Sequence, residues 1–319
     1  MGPLKLSIRN ATTFTPDGAL DEEAQRAFLQ RFVDVGCGFL LGSGGTGEGH
    51  ALTGQELSAL YRAGVEVSRG RVEVGSNQPE TPTARRAIEH AAIAVEAEVD
   101  VINLYGPACW HGYVPTDDEY TAYLAEVLAE VRHPVTLSPN RGLGYCPPPR
   151  VLAGVANRFT QVVSVNLSGV PDDRYYVDLR DELHREVEVY VNFTGSPQMF
   201  ALGATGMLAA DGHAEGNLIP RTFRRYVDLY SAGDFQELSR TYADVRRLSR
   251  FVAGWSGGPA RWVKIAMRGF KLPGGEGGSR APYLRPPDEE VVRFVRGAIA
   301  LGIPEILELA HAADIFSVS

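Results

Sequence analysis

Lysine is nearly absent from this 319-residue sequence: Lys5, Lys264 and Lys271 are the only three, so almost all the positive charge is arginine. Arginine stays protonated and cannot enter the imine chemistry open to a desolvated lysine. Cysteine is equally sparse. Cys37, Cys109 and Cys146 are scattered and odd in number, which argues against a disulfide framework and a structural zinc site. No apolar run approaches the ~18 residues of a membrane-crossing helix. The opening Met1-Gly2-Pro3-Leu4-Lys5-Leu6-Ser7 lacks the long apolar region of a signal peptide, so a cytoplasmic protein is expected. There is no basic stripe and the formal net charge is -8, which makes nucleic acid and anionic membranes poor partners. With 44% hydrophobic and 22% charged residues, the composition is that of a soluble globular chain.

Short β-rich apolar runs alternate with longer helical stretches, the pattern of a parallel sheet built from βα units. Strands are predicted at 6–12, 38–42, 71–76, 99–104, 134–138, 161–166, 187–192 and 206–210. Amphipathic helices are predicted between them at 21–35, 53–67, 83–97 and 116–131. Ala24, Phe28, Phe32 and Val35 share one face of the first; Thr53 and Glu56 have capping-box spacing in the second. Eight strands with intervening helices imply an α/β fold, a closed (β/α)8 TIM barrel, rather than an open sheet. No Gly-x-Gly-x-x-Gly turn with a following acid supports a dinucleotide fold. Beyond the eighth strand the chain turns helical, at 221–232, 234–253, 260–269 and 287–302. The expected division is a barrel core over 1–220, followed over 221–319 by the last barrel helix and a C-terminal helical extension. The Gly/Pro-rich stretch 271–278 is either a flexible linker or a tight crossing between helices.

Several motifs follow one another in a telling order: Ala11-Thr12-Thr13-Phe14, Gly44-Gly45-Thr46-Gly47-Glu48, Leu52-Thr53-Gly54-Gln55-Glu56, Leu202-Gly203-Ala204-Thr205-Gly206, Gly233-Asp234-Phe235, Val263-Lys264 and Arg280-Ala281-Pro282. Together they resemble the dihydrodipicolinate synthase / N-acetylneuraminate lyase family along almost the whole chain. The resemblance implies a (β/α)8 barrel with a helical tail, assembled as a homodimer or homotetramer, with no cofactor. It also implies a small anionic substrate. Members form a Schiff base between a 2-oxo acid, typically pyruvate, and a lysine ending strand six, with a tyrosine ending strand five as proton shuttle.

This sequence departs from that scheme at its chemical centre. Asn166 stands where the resemblance expects the lysine, and Ser138 where it expects the tyrosine. Gly45 replaces the first of two paired threonines while Thr46 keeps the second, and Arg141 stands, one residue out of register relative to Gly144, for the arginine that the resemblance expects to hold the substrate carboxylate. None of the three lysines is expected at the C-terminal ends of the strands, where such barrels place their sites. An amide does not attack a ketone, so the ancestral covalent route is expected to be closed.

The mouth still offers hydrogen-bonding groups. Asn166, Ser138, Thr46, His213 and His111 are the catalytic candidates; Ser43, Gly45, Arg141, Asn192, Thr194 and Asp211 are the substrate-binding ones. Glu48 reads as capping backbone amides in a tight turn, and Cys109 beside His111 as a packed or interface cluster. Metal ligation by the segment 211–217 is conceivable, since carboxylate plus imidazole suits divalent ions, but a solvated loop is expected and no metal site is assigned. Two functions follow. One is a lyase-like enzyme for aldol-type cleavage or condensation, hydration or dehydration, on a small 2-oxo-acid-like or other anionic substrate, its charge stabilised by hydrogen bonds in place of an imine. The other is a catalytically inactive relative acting as a ligand-binding or partner-binding module. Replacement by polar rather than apolar residues favours the enzyme.

Overall fold

A computed structural model describes residues 3–109, 111–139, 142, 144–167, 170, 173–210, 212, 214–255 and 257–315. Eight strands close a parallel barrel in chain order: β1 (Lys5–Arg9), β2 (Gly38–Leu41), β3 (Val74–Asn77), β4 (Val101–Tyr105), β5 (Val135–Ser138), β6 (Val162–Asn166), β7 (Glu188–Val191) and β8 (Gly206–Leu208). Ser7 of β1 pairs with Gly38 of β2 on one side and Leu208 of β8 on the other, which closes the ring. Helices α1 (Glu22–Val33), α2 (Gly54–Ser68), α3 (Ala84–Glu96), α4 (Asp117–Glu130), α5 (Pro149–Arg158), α6 (Arg174–Glu182), α7 (Ser196–Ala201) and α8 (Pro220–Ala232) follow the strands in turn. The expected TIM barrel is thus the observed fold.

Local chemistry explains where the helices begin. Thr53 accepts the Glu56 N–H while the Glu56 carboxylate reaches back to the Thr53 N–H, as the spacing predicted, and Thr116 and Glu119 repeat the device at α4. Asp21 and Thr83 cap α1 and α3. The outer face of the sheet is apolar: a side chain at Gly64 of α2 would meet Phe39 and Leu41 of β2. The inner face is different. Leu40 and Gly75 interlock across β2 and β3, but around them Thr136 bonds Ser164 at 2.5 Å, and Lys5 pairs with Glu188 at 2.6 Å at the N-terminal end. Burial holds the Glu73 carboxyl there above its ordinary range, although Lys5 opposes that shift.

Helices α9 (Phe235–Ala253), α10 (Gly258–Gly269), α11 (Asp288–Ala300) and α12 (Pro304–Ala312) complete the C-terminal extension. Its own small core stacks Phe251, Trp255 and Trp262 around Phe294. The segment 271–278 is a tight crossing, not a free linker: a Cβ on Gly277 would overlap the Phe14 carbonyl, and one on Gly275 would press on the Met267 backbone. Four barrel helices or parts of the extension had no counterpart in the sequence reading, α5, α6, α7 and α12. The six residues of α7 are too few to show helical periodicity, and α6 is mostly charged. No described helix is long and apolar enough to cross a membrane.

Candidate functional site

At the C-terminal end of the barrel the strands finish on polar residues whose side chains meet inside. Arg9, last residue of β1, donates from Nε to Asn77 Oδ1 at 3.0 Å and from Nη2 to Ser138 Oγ at 3.5 Å. Asn77 closes β3 and its carboxamide also meets the Tyr105 hydroxyl, at 3.3 Å, from the end of β4. Ser138 closes β5 and donates to the Asn166 backbone carbonyl at 3.4 Å. Asn166 closes β6, and its Nδ2 donates to Asn103 Oδ1 at 3.5 Å. Asn103 and Asn166 are at most 1% exposed, yet Asn103 Nδ2 and Asn166 Oδ1 have no partner among the described residues. A buried donor or acceptor left unpaired costs about 1–3 kcal/mol, so such atoms invite a ligand or a water.

The sequence-predicted residues separate into three places. Ser138 and Asn166 stand together in the network just described. Asn192 and Thr194, beyond β7, line a neighbouring cavity of about 250 Å³ with Leu167, Asp173, Tyr176 and Met199. Thr194 is also engaged with α9: its carbonyl accepts from the Tyr242 hydroxyl at 3.1 Å and its Oγ1 from Arg246 at 3.4 Å. Ser43, Gly45 and Thr46 belong to the turn after β2. There the Ser43 hydroxyl accepts the Gly47 N–H at 3.0 Å and so closes the turn, while Gly45 helps wall a cavity of about 320 Å³ shared with α10 and Tyr283. His111 is exposed in the loop after β4, with its backbone in the left-handed region at φ 52°. Arg141, Asp211 and His213 lie outside the described residues.

Two residues read as structural behave so. Glu48 Oε2 accepts the Arg280 N–H at 3.1 Å, and its Oε1 lies 3.2 Å from Lys264 Nζ. Cys109 packs its Sγ against Gly144, and burial raises its thiol pKa, the opposite of what a thiolate nucleophile needs. Among the described residues, no three His, Cys, Asp or Glu side chains cluster to hold a metal ion.

The three lysines occupy three other environments. Lys5 points into the opposite end of the barrel, onto Glu188 and Glu73. Lys264 is buried between barrel and extension, where its ammonium meets Glu48, the Thr12 carbonyl and the Gly278 carbonyl at 2.9 Å; burial lowers its pKa against the pull of Glu48. Lys271 lies exposed just past α10 at φ 51°.

Arg9, like Asn77, Asn103 and Tyr105, is not among the catalytic or binding candidates read from the sequence. An arginine ending a strand resembles a solvated edge residue. The available signal was the alternation Lys5, Ser7, Arg9 in β1, a polar inner face, repeated by polar residues closing β3, β5 and β6.

The chain resembles known proteins in both sequence and structure. It is 28% identical over 242 residues to a 4-hydroxy-tetrahydrodipicolinate synthase of Acidithiobacillus ferrooxidans, covering 75% of this chain and 79% of that one. A stretch of 73 residues is 44% identical to the protein named "Probable 5-dehydro-4-deoxyglucarate dehydratase 1" of Streptomyces coelicolor, but this spans only 22% of that relative's length. In structure it superposes on YagE, a prophage protein of E. coli K12 in complex with pyruvate, with TM-score 0.81, 18% identity and coverage of 94% of this chain and 99% of that one. The family model for the dihydrodipicolinate synthetase family matches residues 5–290, and the chain belongs to that family.

Proposed function

We propose that this chain is a lyase-like enzyme acting at the barrel mouth on a small 2-oxo-acid-like or other anionic substrate, without a lysine imine. The carrying observation is the pairing of Ser138 with Asn166 at the ends of β5 and β6, with none of the three lysines beside them. The nitrogen lone pair of a carboxamide is delocalised into its carbonyl, so Asn166 cannot add to a ketone. Aldol-type cleavage or dehydration still needs somewhere for electrons to go, because either passes through an enolate or oxyanion. An imine normally receives them. Here donors converging on one point would stabilise the oxyanion instead, and a single well-placed donor contributes about 3–4 kcal/mol. The amide nitrogens of Asn103 and Asn166 are such donors, and the Ser138 hydroxyl becomes one on turning away from the Asn166 backbone carbonyl; the polar mouth supports a working site over an abandoned one. Names of relatives, a synthase, a dehydratase and a pyruvate-bound neighbour, agree with a lyase acting on 2-oxo acids. Thr46, His111, His213 and Asp211 remain candidates for proton transfer or substrate contact, as do Ser43, Gly45, Arg141, Asn192 and Thr194 for binding.

The test is reductive trapping. Wild-type protein treated with borohydride in the presence of pyruvate is expected to keep its mass, whereas Asn166→Lys is expected to gain a reduced pyruvyl group. A stable adduct on the wild type overturns the lysine-independent reading. In a screen of 2-oxo and hydroxylated acids, Ser138→Ala is expected to lower kcat about 10- to 100-fold on whichever substrate turns over.

A further inference from the structure

We propose that Arg9 is a substrate-binding residue, and that it holds the carboxylate of a 2-oxo or 2-hydroxy acid at the centre of the barrel mouth. The proposal rests on the reading that this mouth receives an anionic substrate, and it supplies that substrate's counter-charge.

Arg9 is fixed by the strand it ends. In β1 its neighbour Ile8 faces outward against Gly216, so Arg9 on the next position faces the barrel axis. The hydrogen bonds of the guanidinium include Nε on Asn77 at 3.0 Å and Nη2 on Ser138 at 3.5 Å, which hold it from the side. Asn77 is itself held by Tyr105, at 3.3 Å. Such support fixes the orientation of a side chain that is otherwise rich in rotamers. The guanidinium is therefore one hydrogen bond from Ser138 and, through Ser138, one more from Asn166. A cation thus stands beside Ser138, whose hydroxyl reaches the backbone of Asn166 on the next strand.

A second observation is independent of Arg9. Asn103 Nδ2 and Asn166 Oδ1, buried in the same interior, lack partners among the described residues. Exchanging the amide orientations of both leaves the count unchanged, one donor and one acceptor unsatisfied. A carboxylate carrying an oxygen on the adjacent carbon matches this set: its carboxylate oxygens accept from the guanidinium, its 2-oxygen accepts from an amide N–H, and a 2-hydroxyl would also donate to the amide carbonyl. Planar guanidinium recognises planar carboxylate best, and charge-assisted bonds of this kind are about twice as strong as neutral ones.

The experiment compares anion with neutral isostere, using the full chain. Pyruvate and pyruvamide are titrated calorimetrically into wild type, Arg9→Gln and Arg9→Lys, with unfolding midpoints recorded for each. Wild type is expected to favour pyruvate over pyruvamide at least about tenfold, with affinity falling as salt rises. Arg9→Gln should bring pyruvate down to the pyruvamide level, and Arg9→Lys should restore part of the preference because it keeps the charge. If Arg9→Gln does not fold, Arg9→Lys carries the test, with preference reduced but present. The proposal is overturned if wild type binds neither compound, or binds both equally, or if a folded Arg9→Gln retains the preference. Charge discrimination needs no turnover, so it can hold in a protein that fails as a lyase, and a lysine adduct would leave it standing.

Discussion

Position by position, the chemistry of this barrel is set by which polar atoms are given partners and which are not. Glu56 illustrates the first case. It closes the capping box of α2 and also accepts both Nη atoms of Arg280, at 2.5 and 2.9 Å. The Arg280 hydrogen bond holds its carboxyl at about 2, against an ordinary value of 4.5. A carboxylate depressed on folding contributes stability that is complete above the unfolded value and disappears as pH falls through the folded one. With both groups partly solvent-exposed, the contribution is screened. Glu56→Gln is therefore expected to cost about 1 kcal/mol at pH 7, and the gap to wild type should close between pH 4.5 and 2 in urea titrations. A gap independent of pH would show that the cap, not the charge pair, carries the effect. Asn103 and Asn166 illustrate the second case, and there the unsatisfied atoms are what a ligand would use.

At the level of elements, the crossing segment 271–278 does more than connect α10 to α11. Gly274 lies against Thr13 and Gly277 against the Phe14 carbonyl, so the extension is pressed onto the loop that follows β1. Only the lack of a side chain allows that approach at Gly277. Gly277→Ala is expected to destabilise by about 2–4 kcal/mol, because backbone must move to relieve the overlap. Thermal unfolding would measure it. A shift of less than a degree in Tm would mean that the segment is not held where it now lies. The same loop leads back to Arg9 through Asn10 and Ala11, so loosening it should also weaken anion binding at the mouth, in the titration that compares pyruvate with pyruvamide.

For the molecule as a whole, the joint between barrel and extension is a buried ion pair. Lys264 and Glu48 are at most 2% exposed, 3.2 Å apart, and Lys264 also stands over the Phe14 ring at 4.8 Å. Removing one charge would strand the other, buried and without its counter-ion. Lys264→Met alone is expected to cost about 3–5 kcal/mol, and much of that loss should be recovered when Glu48→Gln is added, giving a non-additive double-mutant cycle. Additive losses would mean that the two side chains do not act as a pair. The outcome also bears on the lysine question, since Lys264 occupied with this joint has a structural task and is not available at the mouth.

The eight strands were legible because each apolar run is short, β-rich and bounded by turn residues, and the observed strands overlap all eight predicted ones. Helices with clear apolar stripes and capping boxes were legible for the same local reason, whereas α7 was not, because six residues carry no periodicity. Ser138 and Asn166 were singled out through their place at strand ends and the family resemblance, and Thr46, Ser43 and Gly45 through the loop after strand two, where the structure has them in the turn after β2.

The sequence by itself determined the barrel, the shortage of lysine and the carboxamide at the end of strand six, since each depends on local pattern or plain identity. What only the tertiary structure decided is which polar side chains face one another. Convergence at the mouth depends on strand register and closure, and these join Arg9 to Asn77 and Ser138 across 68 and 129 residues of chain. Hydrogen bonds between groups so distant leave no trace in local spacing, because closing the barrel is what brings them within reach.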